Sequence, residues 1–274
     1  MKHLLLSAIF LLSAFVSFGK EIKIVSLSPA VTEMIYAVGA EGCLVGRSRV
    51  CDFPAKVKAL PIAGDLGTPD IEMISKLRAD VVISDISNPS ADWNRLRKMG
   101  MKVVLLKADS IAQYRDNILE IGKITGRDLA AEREWNRFSE KINQLKNAGK
   151  TRSRIPAVVL LGVNPLVSCN NSTFIGEILD IAGADNITGK VERRYFILSA
   201  EFVLEKNPEI AVLAGMSGNF RKTLLDTAVL RSAKFVRNNA IIDNVPSEFF
   251  CRLSPRTPTA IELLTKELDK YRKN

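Results

Sequence analysis

Glu33–Ala40 reads EMIYAVGA, and Glu177–Ala184 reads EILDIAGA, 144 positions later. A second echo lies downstream of each. Ile71–Ser84 (IEMISKLRADVVIS) aligns with Ala200–Leu213 (AEFVLEKNPEIAVL) at an offset of 129. Both echoes keep one order, so the chain reads as two similar lobes. Two matched lobes imply a cleft between them and two matched outer surfaces.

Around the echoes, strands and helices alternate. Lys23–Leu27 is a β-type run, and Ser28-Pro29 opens a helix with a capping residue and a first-turn proline. Val31, Met34, Ile35 and Val38 recur at helical spacing, and Gly39 stops the run. Strands are expected at Leu44–Arg47, Val81–Ser84 and Val103–Leu106, and a loop at Gly64–Gly67. Continuous apolar strands between helices predict a parallel α/β sheet. From Ser110 to Ala148 the strand signal stops. Ala131, Trp135, Phe138, Ile142 and Leu145 form one stripe of a long helix, placed midway between the echoes as a strut. The pattern restarts with strands at Ala157–Leu161, Ile210–Leu213 and Ala240–Asp243, with loops at Asn164–Ser172 and Tyr195-Phe196. The expected fold is α/β, two similar Rossmann-like lobes joined by one long α-helix. Residues 20–125 and 151–274 form the lobes, and residues 126–150 the linking helix.

Residues 1–19 read as a signal peptide. Lys2 and His3 precede the apolar run Leu4–Val16, and Ser17-Phe18-Gly19 offers small residues for cleavage. The run is shorter than the ~20 residues a membrane span needs, so a soluble product in an oxidising, exported compartment is expected. Four cysteines in an oxidising compartment fit two disulfides, Cys43 with Cys51 and Cys169 with Cys251; four free thiols are the alternative. His3 is the one histidine. The mature chain therefore lacks the residue for Ser-His-Asp or Cys-His catalysis, and the commonest transition-metal ligand. No catalytic or metal-ligating set is predicted, and no resident cofactor. Losing Lys2 leaves 38 basic against 30 acidic residues, a net charge of +8. Without a basic stripe interleaved with aromatics, nucleic acid is not an expected partner.

In a parallel α/β lobe, ligands bind beyond the carboxyl ends of the strands. Those loops include Ser28-Pro29, Cys51-Asp52-Phe53, Gly64–Thr68 and Asp85–Ser87 in the first lobe. In the second they include Asn164-Pro165, Tyr195-Phe196, Gly215–Ser217 and Ser247–Arg256. The last is the richest, with Phe249, Phe250, Arg252 and Arg256. Aromatic faces suit a large flat ligand, and arginines suit amides or phosphate. One of the two phenylalanines is expected in the core. Glu72 and Glu201 superpose in the second echo, each in a first helical turn behind Asp70 or Ser199. Either one complements a helix dipole. As a pair, one per lobe, they fit a partner with two-fold symmetry. Asp52, Asp65 and Asp85 leave an exported hydrolase as a reading of another class.

Across the mature chain, in order, IVSLSPAVTE (Ile24–Glu33), LVGRSRVCDFP (Leu44–Pro54), GDLGTPDIEMISKLRADVVIS (Gly64–Ser84), GVNPLVS (Gly162–Ser168), EILDIAGADNI (Glu177–Ile187) and FFCRLSPR (Phe249–Arg256) resemble one family. It is that of the periplasmic substrate-binding proteins of ABC importers for cobalamin and iron chelates, with the cobalamin binders nearer. The resemblance implies a monomer of two lobes on one long helix, with little closure. It implies a bulky organometallic ligand, a corrinoid first and a ferric siderophore or haem as the alternative. It also implies an inner-membrane permease dimer whose arginines meet Glu72 and Glu201. Matching loops put Ser28, Pro29, Asp52, Phe53, Gly67, Asn164, Phe250 and Arg256 at the cleft.

Overall fold

The computed structural model describes residues 22–86, 90–215 and 219–272. The expected signal peptide, and Ser87, Met216 and Ser217 of the predicted cleft loops, lie outside them.

The first half runs β1 (Ile24–Ser26), α1 (Pro29–Ala37), β2 (Leu44–Arg47), β3 (Gly64–Asp65), β4 (Thr68–Pro69), α2 (Ile71–Lys76), β5 (Val81–Ser84), α3 (Asp92–Lys98), β6 (Lys102–Leu105) and α4 (Gln113–Thr125). Helix α5 (Asp128–Gly149) follows. The second half runs β7 (Ile155–Leu160), β8 (Gly162–Val163), β9 (Leu166–Cys169), α6 (Phe174–Ala182), β10 (Ala184–Asn186), β11 (Tyr195–Ile197), α7 (Ala200–Lys206), β12 (Ile210–Leu213), α8 (Phe220–Asp226), α9 (Lys234–Arg237), β13 (Ile241–Ile242), α10 (Ser247–Phe250) and α11 (Thr257–Asp269).

Each half holds a parallel four-stranded sheet, in the order β2-β1-β5-β6 and β10-β7-β12-β13. Taken in chain order within each half, these are the same arrangement. The fold is therefore α/β with two equivalent Rossmann-like lobes. Every residue of β1, β5 and β12 is buried, as strands covered on both faces must be. In both orders the strand sequence reverses beside the first strand, so a crevice opens between β1 and β5, and between β7 and β12.

Helix α5 touches both lobes. On one side the Phe138 ring stacks on Tyr114 of α4 with centroids 3.9 Å apart, and the Tyr114 hydroxyl donates to Glu134 at 3.0 Å. A Cβ at Gly122 would lie 2.5 Å from that of Ala131, so the close approach of α4 to α5 requires glycine there. On the other side Lys141 pairs with Glu262 of α11 at 2.5 Å. A single core of buried residues continues from Ile24 and Met34 through Phe138 and Ile142 to Val158 and Leu264.

Three expectations are corrected. Gly64–Gly67 is not a plain loop, because β3 and β4 pair as a short hairpin. Asn164–Ser172 and Tyr195-Phe196 are not both loops either. β8, β9 and β11 form an antiparallel sheet, turning at Asn164-Pro165. The two disulfides are absent, and all four cysteines are in the thiol form. Strand β2 holds the first pair apart. The extended chain from Cys43 to Ser48 spans about 16 Å, and the Cys51 thiol stays 3.1 Å from the Ser48 hydroxyl. A disulfide needs Cα atoms within roughly 7 Å. Cys51 also receives the Thr32 hydroxyl at 3.2 Å. In the second pair, Cys169 ends β9 in the core, while the Cys251 thiol points to the Ala214 carbonyl at 3.5 Å.

Candidate functional site

The two halves face each other across a cleft, and side chains from each wall reach the other. Glu33 of α1 is almost wholly buried. It accepts Arg252 at 3.2 Å and Arg256 at 2.9 and 2.6 Å. Arg252 also binds Asp52 at 2.7 and 3.3 Å. Burial works to raise the Asp52 carboxyl, but the Arg252 guanidinium prevails and holds it below its ordinary value. The Arg256 guanidinium lies between two rings, 4.3 Å from the centroid of Phe53 and 4.8 Å from that of Phe249. Each such contact contributes about 0.5–1 kcal/mol where solvent has access. The loop carrying Asp52 and Phe53 is itself held by Arg47, whose guanidinium donates to the carbonyls of Ser48, Arg49, Cys51 and Lys58.

The opposite end of the cleft has its own crossings. Glu177 of α6 accepts the backbone N–H of Ile111 at 2.6 Å. Arg194 reaches Asp109 at 3.1 Å. Glu33 and Glu177 are the first letters of the two copies of the opening motif. Neither was singled out from the sequence, although the available signal was a carboxylate at one position of both echoes, next to apolar residues.

Between these crossings lies a pocket of about 250 Å³. Asp85, Ile86, Ala108 and Asp109 line it from the first half, and Phe174, Ile175, Tyr195, Cys251 and Leu253 from the second. It is smaller than the ~300–1,000 Å³ of pockets that enclose a small ligand whole. It suits the edge of a larger ligand that stays in the open cleft. A larger hollow, about 660 Å³, is confined to the second half beside Asp185 and Lys206, away from the cleft.

Burial pushes the Tyr195 phenol up to about 12, and the Cys251 thiol also rises by burial. Both stay protonated at neutral pH. Burial likewise raises the Asp85 carboxyl, against the opposing pull of the Ser28 hydroxyl and Arg252. Asp85 Oδ1 is sealed from solvent without a hydrogen-bond partner. Such an orphan acceptor costs about 1–3 kcal/mol.

A stability test follows from the sign of that shift. In the unfolded chain Asp85 ionises near ~3.9. From there up to its folded value, the native state keeps a proton that the unfolded state sheds. Stability therefore falls as pH rises through that window, then levels off. Asp85→Asn removes this liability. It is expected to raise Tm at pH 7 by a few degrees, at about 2–4 °C per kcal/mol for a chain of this size. Near pH 4 the gain should vanish. Thermal melts at the two pH values decide; an equal or lower Tm at pH 7 would refute the assignment.

The predicted cleft residues divide. Asp52, Phe53, Phe249, Arg252 and Arg256 come together in the ionic and aromatic cluster, and Tyr195 lines the pocket. Ser28, Pro29, Gly67 and Phe250 are buried in the walls, and Phe250 is a core side chain with no exposure. Asn164 is exposed at the β8–β9 turn. On the outer surface, Asp70 and Ser199 cap α2 and α7, accepting from the backbone N–H of Met73 and Phe202. Glu72 and Glu201 are exposed at the same position of the two helices. Among the described residues there is no group of His, Cys, Asp or Glu able to hold a metal ion, and no helix long and apolar enough to cross a membrane.

Two equivalent α/β lobes on a helical strut, with a walled cleft between them, define a two-lobed solute-binding protein. The sequence model described as "periplasmic binding protein" matches residues 24–246, and the chain belongs to that family. The chain is 23% identical over 267 residues to the vitamin B12-binding protein of Photorhabdus laumondii, covering 96% of this chain and 94% of that one. It is 26% identical over 253 residues to the vitamin B12-binding protein of Salmonella paratyphi A, covering 90% of each. Among solved structures it is similar to the periplasmic vitamin B12 binding protein BtuF of Vibrio cholerae, with TM-score 0.78, 23% identity, and coverage of 92% of this chain and 98% of that one. It is equally similar to the periplasmic heme binding protein HutB of Vibrio cholerae, with TM-score 0.79, 23% identity, and coverage of 90% and 99%.

Proposed function

We propose that this protein captures a corrinoid between its lobes in the periplasm and delivers it to the inner-membrane permease dimer of an ABC importer. Residues 1–19 direct export, the cargo carrier acts as a monomer, and Glu72 and Glu201 dock it. The observation that carries the reading is the chemistry of the cleft wall. Apolar side chains and protonated donors line the pocket, and the arginines that border it are paired with Glu33, Asp52 and Asp109. A neutral or cationic macrocycle rimmed by amides fits such a wall better than a polyanionic chelate. Relatives named for vitamin B12 binding, matched over nine-tenths of the chain, support the same choice.

The second reading is a haem or ferric siderophore carrier. The likeness to HutB and the formal charge of +9 favour it. A hydrolase reading has little support. Asp52 is neutralised by Arg252, and Asp65 accepts the Leu66 N–H at 2.7 Å. Isothermal titration of the purified protein with cyanocobalamin, dicyanocobinamide, haemin and a ferric siderophore separates the carriers. Saturable binding of a corrinoid is expected. A chain that ignores both corrinoids and binds haemin or the siderophore belongs to the second reading.

A further inference from the structure

We propose that Asp85 is the specificity-determining residue of the cleft, pairing with a primary carboxamide on the rim of the cargo and so selecting amide-bearing corrinoids over carboxylate-bearing chelates. The inference rests on the corrinoid reading of the same cleft.

Asp85 directly follows β5, at the crevice between β1 and β5 where the strand order reverses. Ligands of open α/β sheets enter at such points. It lines the pocket with Tyr195 and Cys251, and its Oδ1 has no partner in the apo protein. Buried polar atoms are nearly always satisfied, so an orphan at a ligand crevice marks a bond that the cargo completes. The torsion at the end of an aspartate side chain is broad. Rotation about it changes which carboxyl oxygen the cargo meets.

The pairing has a direction. The unpartnered Oδ1 accepts an amide N–H of the cargo, completing the bond that the protein alone leaves open. A cargo carboxylate would meet instead a pocket in which Asp109 also presents acid and which no lysine or arginine lines. The Asp109 carboxylate and Arg194 already neutralise each other. Corrinoids carry primary amides around the ring edge, whereas haem carries carboxylates. The discrimination thus comes from the group opposite Asp85, and the long-range field of the basic molecule is secondary.

Affinities of the wild type, Asp85→Ala and Asp85→Asn test this. The probes are cyanocobalamin, a corrinoid with its side chains hydrolysed to carboxylates, and haemin. Asp85→Ala should weaken cyanocobalamin at least 10-fold. Asp85→Asn, which keeps an acceptor oxygen at the same place, should restore it to within about 3-fold of wild type, in line with the modest worth of single hydrogen bonds. The carboxylate corrinoid and haemin should bind the alanine variant as well as they bind the wild type, or better. Asp85→Ala binding cyanocobalamin within 2-fold of wild type overturns the proposal. So does an equal loss for amide and carboxylate corrinoids, which would report packing. Both outcomes leave the corrinoid reading intact, whereas a wild type that binds no corrinoid overturns both.

Discussion

Glu33→Ala is expected to lower stability by about 3–5 kcal/mol, the range for breaking a buried ion pair from one side. For this chain length that is a fall in Tm of roughly 10 °C. The Glu33 side chain is 2% exposed, and its two arginines are 9% and 20% exposed. Removing the carboxylate takes away the acceptor that both guanidiniums share in a largely buried place. Asp52 remains for Arg252 alone, and it is 47% exposed. Asp52→Ala should therefore cost about 1 kcal/mol or less, as pairs open to solvent do. Urea unfolding of the two variants makes the comparison. If they lose equal stability, the buried carboxylate is not what joins the walls.

The double variant Glu72→Arg with Glu201→Arg is expected to abolish uptake, with a loss of 100-fold or more, and to leave corrinoid affinity within about 2-fold of wild type. Both side chains are exposed at the starts of α2 and α7, and neither lines the cleft pocket. The stability change should be small, about 0.3–1 kcal/mol per lost favourable charge at a helix N-terminus. If the proposed docking meets cationic groups, the reversal places like charges opposite each other at two sites, each costing several kcal/mol. Uptake of labelled cobalamin by cells carrying the variant, alongside titration of the purified protein, reads the two effects apart. Uptake at the wild-type rate would leave the glutamates as dipole complements only.

The elements legible from sequence carry local signals. β5 and β12 are fully buried, mainly apolar runs found at their predicted bounds, and Asp70 and Ser199 act as caps through their own side chains. Gly39 and Gly183 both take positive φ, as helix-ending glycines do. The β8–β9–β11 sheet was not legible, because its strands run two to four residues and its turn is Asn164-Pro165, outside the usual Asn-Gly signal. The expected Cys43–Cys51 bond fails because closeness in sequence is not closeness in space when a strand intervenes. Of two adjacent phenylalanines, the helical turn sends Phe250 into the core and leaves Phe249 beside Arg256. The cleft's charge chemistry was hidden for a different reason. Glu33 and its arginines lie 219 and 223 residues apart, so no local pattern links them.

Glu33 and Glu177 have a further consequence, one of symmetry. In a homodimer with an isologous interface, a residue of each subunit reaches into the other, and the same contact occurs twice. Here one chain reproduces that geometry, since each glutamate of the duplicated motif crosses to the opposite half. The recipients have diverged, to a pair of guanidiniums at one end and a lone backbone N–H at the other. The frame is thus two-fold while its polarity is not. A flat molecule turned end over end in the cleft would meet a different set of neighbours.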